Sequence, residues 1–164
     1  MRVLINLLVI TALPFLLVPE NNFTAENVSH SCSGDYNICL QYPSSLEPLC
    51  EEDESENGIT LINADSSLEV IAYQAYNLYD WNVDQIIHFN LSNYREMDDS
   101  LQILSAEIQD LPNHAVLFSF KGYTHYQQIF LEDGKYIVLN VSQRDGDPGQ
   151  LMSIASAIQL EHRA

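Results

Sequence analysis

The stretch FLEDGKYIVLNV, residues 130–141, constrains the fold more than any other part of the chain. Asp133-Gly134 stands between two runs of alternating apolar and polar residues, and Asp-Gly readily takes the positive φ that a tight hairpin turn requires. The two runs predict paired antiparallel strands over 124–132 and 135–142, each burying one face. Further alternating runs predict strands near 36–42, 58–63, 68–76, 101–109 and 115–121, separated by the turn signals NADSS, LPNH and KGY. Most connections are short, so the expected sheet is mainly antiparallel and has about six or seven strands.

Two helices are expected to cover it. In WNVDQIIHFNLSNYREM the apolar residues Val83, Ile86, Ile87, Leu91, Tyr94 and Met97 recur at helical spacing. Asn82 and Gln85 form a capping box, and Trp81 with Ile86 occupies the two positions of a hydrophobic staple. In DGDPGQLMSIASAIQLEHRA, Asp147 is an N-cap, Pro148 suits the first helical position, and Leu151, Ile154, Ala155 and Ile158 form one apolar face. The fold class is therefore α+β.

The first residues, MRVLINLLVITALPFLLVPENNF, hold one Arg, an apolar run from Val3 to Val18 and then polar residues, the pattern of a secretory leader. Pro14 near the middle and the short run suit a cleaved leader better than a membrane span. The expected organisation is a signal peptide over 1–20, a flexible lead-in over 21–34 and one domain over 35–164. Localisation is expected to be periplasmic or extracellular. A formal charge of −17 on 164 residues repels phosphate backbones and anionic headgroups, which excludes nucleic acid and membrane surfaces as partners.

Export makes the three cysteines interpretable, because thiols in an oxidising compartment tend to pair. Cys39 falls within the strand at 36–42 and Cys50 in the loop that returns from it, so a Cys39–Cys50 bridge is expected. Cys32 with either partner is the alternative. Four sequons occur, at Asn22, Asn27, Asn90 and Asn140. Asn90 lies within the apolar stripe of the first helix, where a glycan has no room.

The run Glu51, Glu52, Asp53, Glu54 and Glu56 is the densest polar feature of the chain. If the loop folded around an ion, five carboxylates would supply the oxygen ligands that calcium takes. Otherwise its like charges keep it solvated and extended. No C-x-x-C or H-x(3–5)-H spacing suggests zinc, so no metal ligand is assigned. The chain also lacks a G-x-S-x-G elbow, an H-E-x-x-H pair and a phosphate-cradling glycine loop, so no catalytic residue is nominated. His88 reads as a surface or packing residue, and His114 and His125 flank one predicted hairpin.

The order of elements, with LQYPSSL ending the first strand and YQQIFLEDGKYIVLNVSQRDGDPGQLMSIASAIQL closing the domain, resembles the Mog1/PsbP-like α/β/α sandwich, including its small exported bacterial members. The resemblance covers residues 35–160. It implies a binding or assembly module without a shared catalytic centre: PsbP is an extrinsic subunit on the lumenal side of a photosystem, and Mog1 contacts a small GTPase. Neither partner carries over. The expectation is a non-enzymatic exported domain that engages a protein with a basic face through a sheet edge or the acidic loop. The alternative is a protein that binds calcium or a small ligand, with a hydrolase activity as its remotest form, and it requires a concave pocket with converging polar groups.

Overall fold

The computed structural model describes residues 28–33, 38–49, 58–105, 111–112 and 114–162. Among these the order of elements is β1 (Val28–Cys32), β2 (Ile38–Pro43), β3 (Leu46–Pro48), β4 (Gly58–Asn63), β5 (Leu68–Tyr76), α1 (Val83–Met97), β6 (Gln102–Ile103), β7 (Ala115–Phe120), β8 (Tyr123–Glu132), β9 (Lys135–Arg144), α2 (Pro148–Ala157) and β10 (Gln159–His162). Seven strands form an antiparallel sheet in the order β3-β4-β5-β9-β8-β7-β6, and three form a smaller one, β1-β2-β10. The α+β class and the predominantly antiparallel sheet are as the sequence predicts.

Strand alternation decides what each face covers. Leu61, Val70, Leu117, Ile137 and Leu139 point to one side of the large sheet, where they pack against Leu151 and Ile154 of α2 and Ile38 and Leu40 of β2. The opposite face meets α1: Ile86 packs on Ile129 and Val138, and Leu91 on Val116, Phe118 and Phe120. The large sheet is thus the middle of three layers, with α1 on one side and α2 with the small sheet on the other. Helix α1 lies over β7 and β8 because the chain crosses that face between β5 and the far edge strand β6.

Local signals hold these elements in place. The Asn82 side chain accepts from the Gln85 N–H at 3.0 Å, and the Gln85 side chain accepts from the Asn82 N–H at 3.0 Å, which completes the capping box. Trp81 packs against the cluster that contains Ile86, as the staple requires. Asp147 caps α2 by accepting from the Gln150 N–H at 3.0 Å. The β7–β8 turn uses Lys121 and Gly122, with φ of 50° and 79°, the paired positive values of a type I′ hairpin. Met97, expected on the buried stripe of α1, is exposed at the helix end.

Three expectations need correction. Residues 28–32, assigned to a flexible lead-in over 21–34, form β1 and pair antiparallel with β2. The disulfide joins Cys32 to Cys39, not Cys39 to Cys50. The reason is the same: once β1 pairs with β2, Cys32 and Cys39 face each other directly across the ladder, with Cα atoms 4.1 Å apart. The strand expected over 101–109 contracts to Gln102–Ile103 within the described residues, and Ser105 follows it as a cap on β7. Its hydroxyl accepts from the Leu117 N–H at 2.8 Å and donates to the Leu117 carbonyl at 3.0 Å.

Closing so short a loop, with a sequence separation of 7, contributes about 2 kcal/mol through chain entropy. The Cys32→Ser/Cys39→Ser double variant is therefore expected to lose about 2 kcal/mol of unfolding free energy, read as a lower urea midpoint. Peptide mapping of the oxidised protein should find Cys32 linked to Cys39 and Cys50 alkylated; a Cys39–Cys50 peptide would contradict this pairing.

Candidate functional site

The segment YNLYDW, residues 76–81, joins β5 to α1 and keeps Tyr76, Leu78 and Tyr79 in solvent, with Trp81 half-buried. Asn77 shapes the segment. Its side chain accepts from the Trp81 N–H at 2.8 Å and donates to the Trp81 carbonyl at 2.9 Å, while its backbone N–H donates to the Gly134 carbonyl of the β8–β9 turn. Asp80 takes a φ of 52° inside this clamp, a conformation that Asp tolerates better than most residues. Held in this way, Leu78 and Tyr79 are 81% and 72% exposed, and Phe89 of α1 is also exposed. Tyr76 is exposed too, but on the opposite face of β5, where Lys135 lies over its ring at 5.6 Å. Trp81 stacks on Tyr79, with centroids 5.1 Å apart, and meets Phe89 at 5.0 Å with the ring planes tilted by 49°. The three rings form an aromatic ledge at the head of α1. Trp81 has two roles, since its inner part packs on the core as the staple and the indole also belongs to the ledge. Next to it, Trp81, Asp84, Gln85, His88 and Phe89 line an open groove of about 620 Å³.

A second feature lies between α1 and the sheet. Ile71 and Tyr73 from β5, Asn90, Asn93 and Tyr94 from α1, and Gln127 and Asn140 from neighbouring strands line a cavity of about 170 Å³. Gln127 and Asn140 are register partners across β8 and β9, which places both amides on the α1 face. The Asn90 amide donates to the Gln127 side-chain oxygen at 3.0 Å. His125, two residues along β8 on the same face, lies flat against Phe118, with centroids 4.8 Å apart and planes at 6°. Burial pushes its imidazole down to about 4, and the nearby Asn140 amide opposes that shift. Neither His125 Nδ1 nor Asn140 Oδ1 makes a hydrogen bond of good geometry, although the amide lies close enough to the ring to favour its protonated form. Burial raises Tyr73 to about 12, with Tyr136 and Tyr94 adding to it. It also raises Tyr94, with a further push from Glu69, so both phenols stay neutral near pH 7.

The structure disperses the residues that the sequence brings together. His114 bonds Gln128 at 2.6 Å and packs near Phe130 on the α2 side of the sheet, whereas His125 lies under α1, so the two do not form a pair. Asn90 is buried, as the stripe requires, and so is the sequon Asn140. Cys50 and the acidic run Glu51, Glu52, Asp53, Glu54 and Glu56 lie outside the described residues, as do residues 1–20 and the sequons at Asn22 and Asn27. Among the described residues no group of three or more His, Cys, Asp or Glu side chains is placed to hold a metal ion, and no helix is long and apolar enough to cross a membrane. The outer strands of the large sheet offer little to an added strand: β3 has three residues ending in Pro48, and β6 has two.

No family model and no curated protein matches the sequence. Among solved structures, the solution structure of cyanobacterial PsbP (CyanoP) from Synechocystis sp. PCC 6803 is similar, with a TM-score of 0.53 at 10% identity over 85% of this chain and 96% of that one. A crystal structure from Bacteroides thetaiotaomicron VPI-5482 is also similar, with a TM-score of 0.46 at 13% identity over 82% of this chain and 48% of that one. The first likeness is one of fold. The chain has the PsbP/Mog1-like fold that its order of elements resembles.

Proposed function

We propose that this chain is an exported, non-enzymatic binding module that docks a protein with a basic face through the aromatic ledge. The observation that carries this reading is the exposure of Leu78, Tyr79 and Phe89 around the half-buried Trp81. Contiguous exposed apolar side chains of this size mark contact surfaces, and aromatic residues dominate the energetics of such surfaces. Asp80 and Asp84 stand exposed beside the rings, and the chain carries −17 overall, so a second copy would be repelled and a basic face attracted. The Cys32–Cys39 disulfide and the leader-like first residues support export.

The test places a photo-crosslinking amino acid at Tyr79, and at Ser156 of α2 as a control, in cells that export the protein. The reading predicts an adduct with one basic protein from position 79 only. That adduct should disappear in a Leu78→Asp background whose melting midpoint is unchanged, because Leu78 packs on little else. With the purified pair, Leu78→Asp should weaken binding by about 2 kcal/mol, roughly 30-fold, and added salt should weaken it further. Equal adducts from both positions, or affinity indifferent to Leu78→Asp, would overturn the proposal.

A further inference from the structure

We infer that the cavity under α1 is a binding site for a small, neutral, hydroxyl-rich molecule, of the size of a single sugar ring or a smaller polyol. The inference starts from a cost. Asn90, Gln127 and Asn140 are all buried in the cavity wall; Asn90 and Gln127 bond each other, whereas Asn140 Oδ1, beside the His125 ring, makes no hydrogen bond of good geometry. Burying polar groups in this way lowers stability relative to the apolar residues that fill the rest of the α1 interface, and unpartnered ones lower it most. Such a cluster in an otherwise apolar layer is what a ligand site requires and a packing layer does not.

The chemistry of the lining selects the ligand. Asn90, Asn93, Gln127 and Asn140 each carry both a donor and an acceptor, and Tyr73 and Tyr94 add neutral hydroxyls. A polyol is matched to them because each of its hydroxyls also donates and accepts. No Lys, Arg, Asp or Glu lines the cavity, and Glu69, which accepts from the Ser142 hydroxyl at 3.4 Å, is the carboxylate felt by Tyr94. An anion would meet that carboxylate with no cation to hold it. The volume of about 170 Å³ lies below that of drug-sized pockets and suits one ring. The exposed Asn93 stands at the rim.

The site is distinct from the aromatic ledge, so its test is independent of the docking partner. Glucose, myo-inositol and glycerol are titrated into the oxidised protein, with glucuronate and glucosamine as charged counterparts, while NMR follows the side-chain amide signals of Asn90, Gln127 and Asn140. A neutral polyol should give saturable shifts of these signals, and the charged counterparts should bind less tightly. Asn93→Ala, an exposed substitution that leaves the core intact, should weaken binding about tenfold through the loss of one hydrogen-bonding group. Asn140→Leu should abolish it; if that variant does not fold, Asn93→Ala decides alone. Absence of saturable shifts with every neutral polyol, tighter binding of a charged counterpart, or an Asn93→Ala affinity equal to that of the parent would overturn the assignment.

Discussion

Replacing Phe118 by Ala is expected to cost about 4 kcal/mol and to lower the melting midpoint by about 10 °C, the range for a large-to-small substitution in a sealed core of a domain this size. Phe118 is fully buried, and three packing relationships converge on it. It belongs to the cluster that receives Leu91 of α1, its ring meets Tyr94 at 5.0 Å, and its face carries His125 at 4.8 Å. Surrounding β-strands cannot collapse to fill the void, because their register is fixed by hydrogen bonds on both sides of β7. Phe118→Leu retains most of the volume and should cost less than half as much. A thermal melt of the two variants side by side checks the claim; equal losses, or a loss below about 1 kcal/mol for Ala, would show that α1 is not seated as described.

Acidification supplies the second large effect. His125 stays neutral in the folded chain down to about 4, while in the unfolded chain it titrates near the ordinary value of 6.5. Between those two values the unfolded state binds a proton that the native state refuses, so stability falls as pH falls. The penalty is absent above pH 6.5 and complete below about 4. At about 1.4 kcal/mol per pH unit it amounts to about 3 kcal/mol. In a chain this acidic many carboxylates titrate over the same range, so the measurement is a difference. Urea midpoints of the parent and of His125→Phe, which keeps a ring against Phe118, are compared from pH 7 to pH 4. The gap between them should change by about 3 kcal/mol in favour of the variant as pH drops. A gap that does not move with pH would mean that His125 is not shielded from protons. In Phe118→Ala the same histidine loses its cover, so the pH-dependent part of its penalty should shrink as well.

How much of this was legible in the sequence depends on where each signal resides. The spans 58–63 and 68–76 coincide with β4 and β5, and the Asp-Gly hairpin with β8 and β9, because alternation and turn chemistry are local. Strands β1 and β10 were illegible for the opposite reason. VSHSC and QLEH are short and largely polar, and they become strands only because each finds an edge of β2. The disulfide followed that omission, since Cys32 has no visible partner until β1 exists. The ledge has a local signal: three large apolar residues, Leu78, Tyr79 and Trp81, crowd a segment that should be a polar connection. The polar cavity had a fainter one. Asn90 and Asn140 each interrupt an apolar pattern, but they are 50 positions apart, and only the crossing of α1 over β8 and β9 brings them to one place.

The pairing of β2 has a consequence for the order in which the molecule assembles. On one side β2 meets β1, whose cysteine is only 7 positions from its own; on the other it meets β10, where the Gln41 and Glu161 side chains that bond across the strands are 120 positions apart. The first contact closes a short loop and can be made and locked by oxidation as soon as residues 28–43 are free. The second requires the whole intervening chain to have arrived. A polypeptide delivered N-terminus first would therefore hold a covalently fixed hairpin well before its last strand docks. For all that time the far edge of β2 stays open, and its closure reports that the final residues have been delivered.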